Sequence, residues 1–172
     1  MVDLQGQNAN KSGKWLEEQV EASLKGLGVN MIPYSKVGTR FGKKILEENA
    51  PGFLLKNVPY TNMYGGESRG EFVLQLKNHG PIRIECRMQT VAGSVDEKLP
   101  YLIGNCYSFK EKEVILVIEG DGMRSAAKRF ITNAARAIAY KDVRVLTLNQ
   151  FKHWANKTIT FTQTTYQKTL TA

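Results

Sequence analysis

Two neighbouring stretches of the chain alternate with the period of a β-strand, which places residues i and i+2 on one face. In EFVLQL (Glu71 to Leu76), Phe72, Leu74 and Leu76 share an apolar face, opposite Glu71, Val73 and Gln75. In IRIECRM (Ile82 to Met88), Ile82, Ile84, Cys86 and Met88 lie opposite Arg83, Glu85 and Arg87. The polar KNHGP between them is too short for a crossover, so the pattern predicts an antiparallel hairpin. EVILVIEG (Glu113 to Gly120) is continuously apolar, as a strand covered on both faces must be, and VRVLTL (Val143 to Leu148) predicts another strand. Helical spacing governs SGKWLEEQVEASLKGLG, where Leu16, Val20, Leu24 and Leu27 recur between a Ser12 N-cap and a stop near Gly28. GDGMRSAAKRFITNAARAIAY predicts a glycine turn and an Ala-rich helix, and NQFKHWANK a last helix N-capped by Asn149. DEKLPYLIGN reads as a short helix or irregular turn interrupted by Pro100. Between Val29 and Gly70, Pro and Gly punctuate a less regular region, with one short helix from Lys43 to Asn49 stopped by Pro51. Residues 156–172 carry seven threonines with Ile159 and Phe161 in alternation, which suits an edge strand, a docking arm or a frayed end.

This order of elements predicts one α/β domain over 1–172, a central mixed sheet with helices on both sides. A chain of 172 residues buries a sizeable core without covalent staples. Two cysteines, Cys86 and Cys106, make no disulfide framework, and with His79 and His153 they show no zinc spacing. The polar N-terminus and the lack of a long apolar run lead us to expect a cytoplasmic protein without a membrane partner. A net charge of +8 favours a polyanionic partner, nucleic acid first.

The hairpin changes what the charges mean, because it brings Glu71 and Glu85 onto the same face. Two carboxylates and a backbone carbonyl form a hard oxygen site of the kind Mg²⁺ accepts beside water and phosphate oxygens. Arg87 follows on the same strand, where a scissile phosphate or attacking water must be held. An acid and a base two apart on a strand are commonplace, and exposed ion pairs contribute little. Three features add weight here: Glu17 in G-x-x-x-E-x-x-V (Gly13, Glu17, Val20), the polar run from Gln89 to Lys98, and the basic charge. Lys36, Arg40, Lys43 and Lys44 surround Phe41 in a basic run suited to nucleic-acid contact. Lys128, Arg129 and Arg136 offer a second basic face, which a solvated helix explains equally well.

Glu17, Glu71 and Glu85-Cys86-Arg87, with thirteen residues between the latter two glutamates, resemble the pattern of the PD-(D/E)XK nuclease superfamily. A closer resemblance is to a phage and bacterial branch with YG, EF-(V/I)-L, IECK-x-Q and GSVDEK-(L/F)-PY blocks. Here these stand as Tyr64-Gly65, Glu71 to Leu74, Ile84 to Gln89 and Gly93 to Tyr101, followed by Gly120-Asp121-Gly122. The resemblance runs from Ser12 to Trp154. It implies a restriction-endonuclease-like core and a Mg²⁺-dependent endodeoxyribonuclease, with Mn²⁺ as a substitute and no small-molecule cofactor. It further implies that Glu17, Glu71, Glu85 and the Cys86 backbone carbonyl hold metal, and that Glu71, Glu85, Arg87, Gln89 and Lys98 form the catalytic set. DNA as partner, a homodimer to cut two strands, and the cytoplasm of a bacterial or phage-infected cell follow from the same resemblance.

One departure stands out. Where the superfamily has lysine, this chain has Arg87, which stays protonated and cannot act as a base. Three readings follow: Arg87 serves electrostatically; Lys98, with Gln89, supplies the missing ammonium; or the site is weakened. The last leaves a nucleic-acid-binding or regulatory protein on the same fold, and an RNA-processing nuclease is a further alternative.

Overall fold

A computed structural model describes residues 4–40, 42, 51–77, 79–90 and 95–170. Along the chain run α1 (Leu4–Gly26), β1 (Asn30–Pro33), a 3-10 turn (Tyr34–Lys36), β2 (Gly52–Thr61), β3 (Glu67–Leu76) and β4 (Ile82–Met88). Then follow α2 (Val95–Ser108), β5 (Glu113–Glu119), α3 (Ser125–Arg136), β6 (Asp142–Leu146) and α4 (Leu148–Leu170). The six strands form one sheet in chain order. β2–β3 and β3–β4 are antiparallel, whereas β1–β2, β4–β5 and β5–β6 are parallel, so the sheet is mixed as expected.

Alternation along β5 divides the core in two. Ile115 and Val117 join Phe72, Leu74, Ile84 and Cys86 beneath α1 (Leu16, Val20, Leu24) and α4 (Phe151, Ala155, Ile159). Val114, Leu116 and Ile118 face α2 (Leu99, Leu102, Cys106) and α3 (Ile131, Ala135). Helices therefore cover both faces, which is why β5 reads as an unbroken apolar run.

Several local expectations are corrected. The threonine-rich end is not an edge strand but part of α4, because Leu148, Phe151, Ala155 and Ile159 recur at helical spacing and are buried. Ile159 is inaccessible while Phe161 is 72% exposed, so the two-residue alternation carries no burial. Packing against α1 overrides the weak helix propensity of threonine. The N-cap of α4 is Thr147 rather than Asn149: its hydroxyl accepts the Gln150 amide (3.3 Å) and the Gln150 side chain accepts the Thr147 amide (2.9 Å), a reciprocal capping box. Ser12 is interior to α1, which begins a good two turns earlier. At its other end Gly28 adopts φ 84°, and the amides of Gly28 and Val29 bond the Lys25 and Leu24 carbonyls, closing the helix with a Schellman turn. Pro100 does not interrupt α2; it sits exposed in the second turn, where its missing N–H costs one backbone bond. The irregular region between Val29 and Gly70 contributes β1 and β2, while the short helix expected from Lys43 to Asn49 lies outside the described residues.

Candidate active site

The expected β3–β4 hairpin forms, with Phe72 opposite Ile84, Val73 opposite Arg83 and Leu74 opposite Ile82. Beyond Phe72 and Ile84 the strands part. β3 continues beside β2 from Gly70 to Glu67, and β4 stays on β5 as far as Met88. The backbone of Cys86 thus faces a fork without a strand partner on the β3 side, and side chains satisfy it. Glu71 Oε2 accepts the Cys86 N–H at 3.2 Å, and Arg87 Nη1 donates to the Cys86 carbonyl at 2.5 Å. The same Arg87 nitrogen donates to Glu71 Oε1 at 2.7 Å, and Nη2 lies 3.8 Å from Glu85 Oε2. Cys86 itself packs into the core.

Glu85 lies on the other face of β4, level with Leu116 of β5, and its side chain is 2% exposed. Burial, reinforced by a hydrogen bond to Glu71 and by its charge, pushes the Glu85 carboxyl well above the usual range. Burial opposes ionisation of Glu71 too, but hydrogen bonds from Glu85, Arg87 and the Cys86 amide outweigh it and hold its carboxyl low. Burial and mutual interaction thus push the two carboxyls apart, Glu85 up and Glu71 down, and they titrate as a pair beside Arg87. Glu17 approaches from α1: burial first, then the Glu71 and Glu21 charges, raises its carboxyl. Burial pushes the Cys86 thiol far up as well, which makes it a packing group rather than a nucleophile.

Arg83 is a site residue that motif spacing does not reveal. Fully buried, it presents a fork to Glu111, with Nε 3.3 Å from Oε2 and Nη2 3.1 Å from Oε1. Its guanidinium carbon lies 4.8 Å from the Phe109 ring centroid and 5.5 Å from that of Tyr60. Arg83 Nη1 and Glu85 Oε1 are both buried without a hydrogen bond and stand 3.8 Å apart. Gly70 backs them closely, since a Cβ there would fall 2.2 Å from Glu85 Oε1. Alternation alone placed Arg83 on the same face as Glu85; its partner Glu111 comes from a loop that no pattern connects to it. Asn57, between the Lys56–Phe72 and Val58–Gly70 pairs of β2–β3, holds a left-handed φ of 57°, a region asparagine enters more readily than most residues.

Of the other expected residues, Gln89 is buried and donates its side-chain amide to the Gly122 carbonyl (3.0 Å), bracing the turn after β5. Lys98 is exposed on α2, outside the carboxylate network among the described residues. Lys36 and Arg40 are exposed near the 3-10 turn, and Lys128 and Arg129 are exposed on α3. Lys43 and Lys44 lie outside the described residues, as do Gly93 and Ser94 of the GSVDEK block.

A model of the PD-(D/E)XK nuclease superfamily domain matches residues 8–159, and the chain belongs to that superfamily. Neither curated proteins nor solved structures gave a match. Membership brings nuclease chemistry on nucleic acid and the superfamily's general use of a divalent metal. Among the described residues no group of three or more His, Cys, Asp or Glu converges as a metal cluster. The donor set nevertheless fits a hard cation that keeps most of its water: one main-chain carbonyl and two carboxylates, of which Glu85 keeps a buried Oε1 without a hydrogen bond.

No helix among the described residues is long and apolar enough to cross a membrane.

Proposed function

We propose that the chain is a Mg²⁺-dependent endonuclease acting on DNA, with Mn²⁺ able to substitute. The observation that carries this reading is the convergence of Glu71, Glu85 and the Cys86 backbone at the β3–β4 fork. Glu71, Glu85 and the Cys86 carbonyl would hold the cation, and Glu17, whose carboxyl feels the Glu71 charge, would contribute through water. Bound there, the cation supplies Lewis-acid polarisation of a phosphate oxygen and a water of lowered pKa. Arg87, always protonated, can neutralise charge growing on the phosphate but cannot take a proton from water. Gln89 supports the site indirectly by fixing the turn at Gly122. Lys98 becomes a second candidate for the ammonium only if α2 or its side chain turns inward. Cutting both strands of a duplex calls for two copies, so we propose a homodimer, at work in the cytoplasm of a bacterial or phage-infected cell.

A second reading has its own support. Arg87 stands where lysine is expected and is already bonded to Glu71 and Cys86, which favours a nucleic-acid-binding protein with attenuated cleavage. One experiment separates the two. Plasmid, single-stranded DNA and a branched junction are incubated with wild type and Glu85→Gln in Mg²⁺ or Mn²⁺. We expect wild type to cleave at least one of these and the variant to lose about 10²-fold or more in rate. Equal cleavage by both proteins would sink the proposed site, and salt-sensitive binding without cleavage would support the second reading.

A further inference from the structure

We infer that Arg87 is a resident counter-cation of the carboxylate site: its guanidinium occupies the oxygens that a divalent metal requires, and metal enters only when Arg87 swings out. The inference rests on the metal-nuclease reading and adds a gate to it. Nη1 is 2.7 Å from Glu71 Oε1 and 2.5 Å from the Cys86 carbonyl, and Nη2 is 3.8 Å from Glu85 Oε2. A divalent cation needs those same oxygens at about 2.0–2.6 Å. A nitrogen already in hydrogen-bond contact with two of them leaves no room for it.

The residue type makes the competition effective. Lysine is a compact charge on a flexible stem, whereas the planar guanidinium sets Nη1 against Glu71 and the Cys86 carbonyl while Nη2 faces Glu85. Arginine also cannot vacate the site by losing a proton, so it has to rotate away. The surroundings allow that rotation. Arg87 is the most accessible member of the network, with 30% of its side chain exposed against 19% for Glu71 and 2% for Glu85. It stands near the end of β4, one residue before Met88, and the carboxylates stay behind when it leaves. An arriving phosphate offers the displaced guanidinium a bidentate acceptor, so substrate and metal would each favour entry of the other.

Mn²⁺ binding tests this without any turnover. Wild type, Arg87→Met and Arg87→Lys are titrated with Mn²⁺, reading the loss of the free-ion electron paramagnetic resonance signal, and circular dichroism melts establish that each is folded. We expect Arg87→Met to bind Mn²⁺ about tenfold or more tightly than wild type, with Arg87→Lys between them. Adding Glu85→Gln to either variant should abolish the gain, which locates the ion. A folded Arg87 variant that binds Mn²⁺ no more tightly than wild type, while Glu85→Gln still weakens binding, overturns the gate and leaves the nuclease reading intact. If no protein shows Glu85-dependent binding, both fall. Should Arg87→Met not fold, the lysine variant decides the question, because its ammonium lacks the second nitrogen that faces Glu85.

Discussion

Arg83 shows what a single buried charge does for this site. It is enclosed by Glu111, Tyr60 and Phe109 and stands beside Glu85, so one cation serves two carboxylates of opposite fates. Glu111 keeps a full fork; Glu85 receives a charge at 3.8 Å without a hydrogen bond. Replacing Arg83 with methionine conserves bulk but strands Glu111, and we expect a loss of about 3–5 kcal/mol in urea denaturation. Adding Glu111→Gln should restore most of it, because the uncompensated charge is then gone. A double-mutant cycle that shows no coupling between the two positions would refute this arrangement. Strand alternation was sufficient to place Glu71, Glu85 and Arg87 together. It could not show that Arg83 is buried, since its enclosure is built from Tyr60, Phe109 and Glu111, which lie far apart in sequence. The opposite shifts of the Glu71 and Glu85 carboxyls were equally hidden, because they depend on burial and on an amide freed by strand divergence.

Among the elements, the hairpin was legible from its two-residue alternation and β5 from its unbroken apolar run. The chain end was not. Ile159 and Phe161 fit a two-residue alternation, while Leu148, Phe151, Ala155 and Ile159 fit a helix, and only the contact with α1 chooses between them. The start of α4 follows the same lesson. Thr147-Leu148-Asn149-Gln150 contains a capping box, and the threonine, not the asparagine, occupies the cap because its partner Gln150 lies three residues on. Thr147→Ala should therefore lower stability by about 1 kcal/mol, and Asn149→Ala by much less, as read from thermal melts of the two variants. β1 and β2 escaped notice because Pro33, Pro51, Pro59 and several glycines interrupt the pattern. β1 lies at the sheet edge, where Pro33 need not donate to a ladder.

For the molecule as a whole, a charge of +8 surrounds an acidic fork, so nucleic acid has to be drawn in by residues outside the site. Binding measured with Glu85→Gln, which separates association from cleavage, should weaken about 100-fold over a fourfold rise in salt, the change expected for about four neutralised phosphates. Lys36 and Arg40 lie on the chain just after β1. Their joint replacement by alanine should flatten that dependence by about two phosphates. Replacing Lys128 and Arg129 on α3 together should leave it unchanged. The reverse outcome would move the docking face to α3.

The parting of β3 from β4 has a consequence for how the protein can be observed. Along the intact part of the hairpin each amide is tied to a neighbouring strand, and its exchange with solvent deuterium reports the stability of the sheet. The amide of Cys86 is tied to a carboxylate instead. Its exchange rate follows the position of Glu71, and so reports whether the fork is held shut by its own guanidinium or rearranged around something else. The backbone thus carries an isotopic gauge of the site, calibrated against the ladder residues next to it.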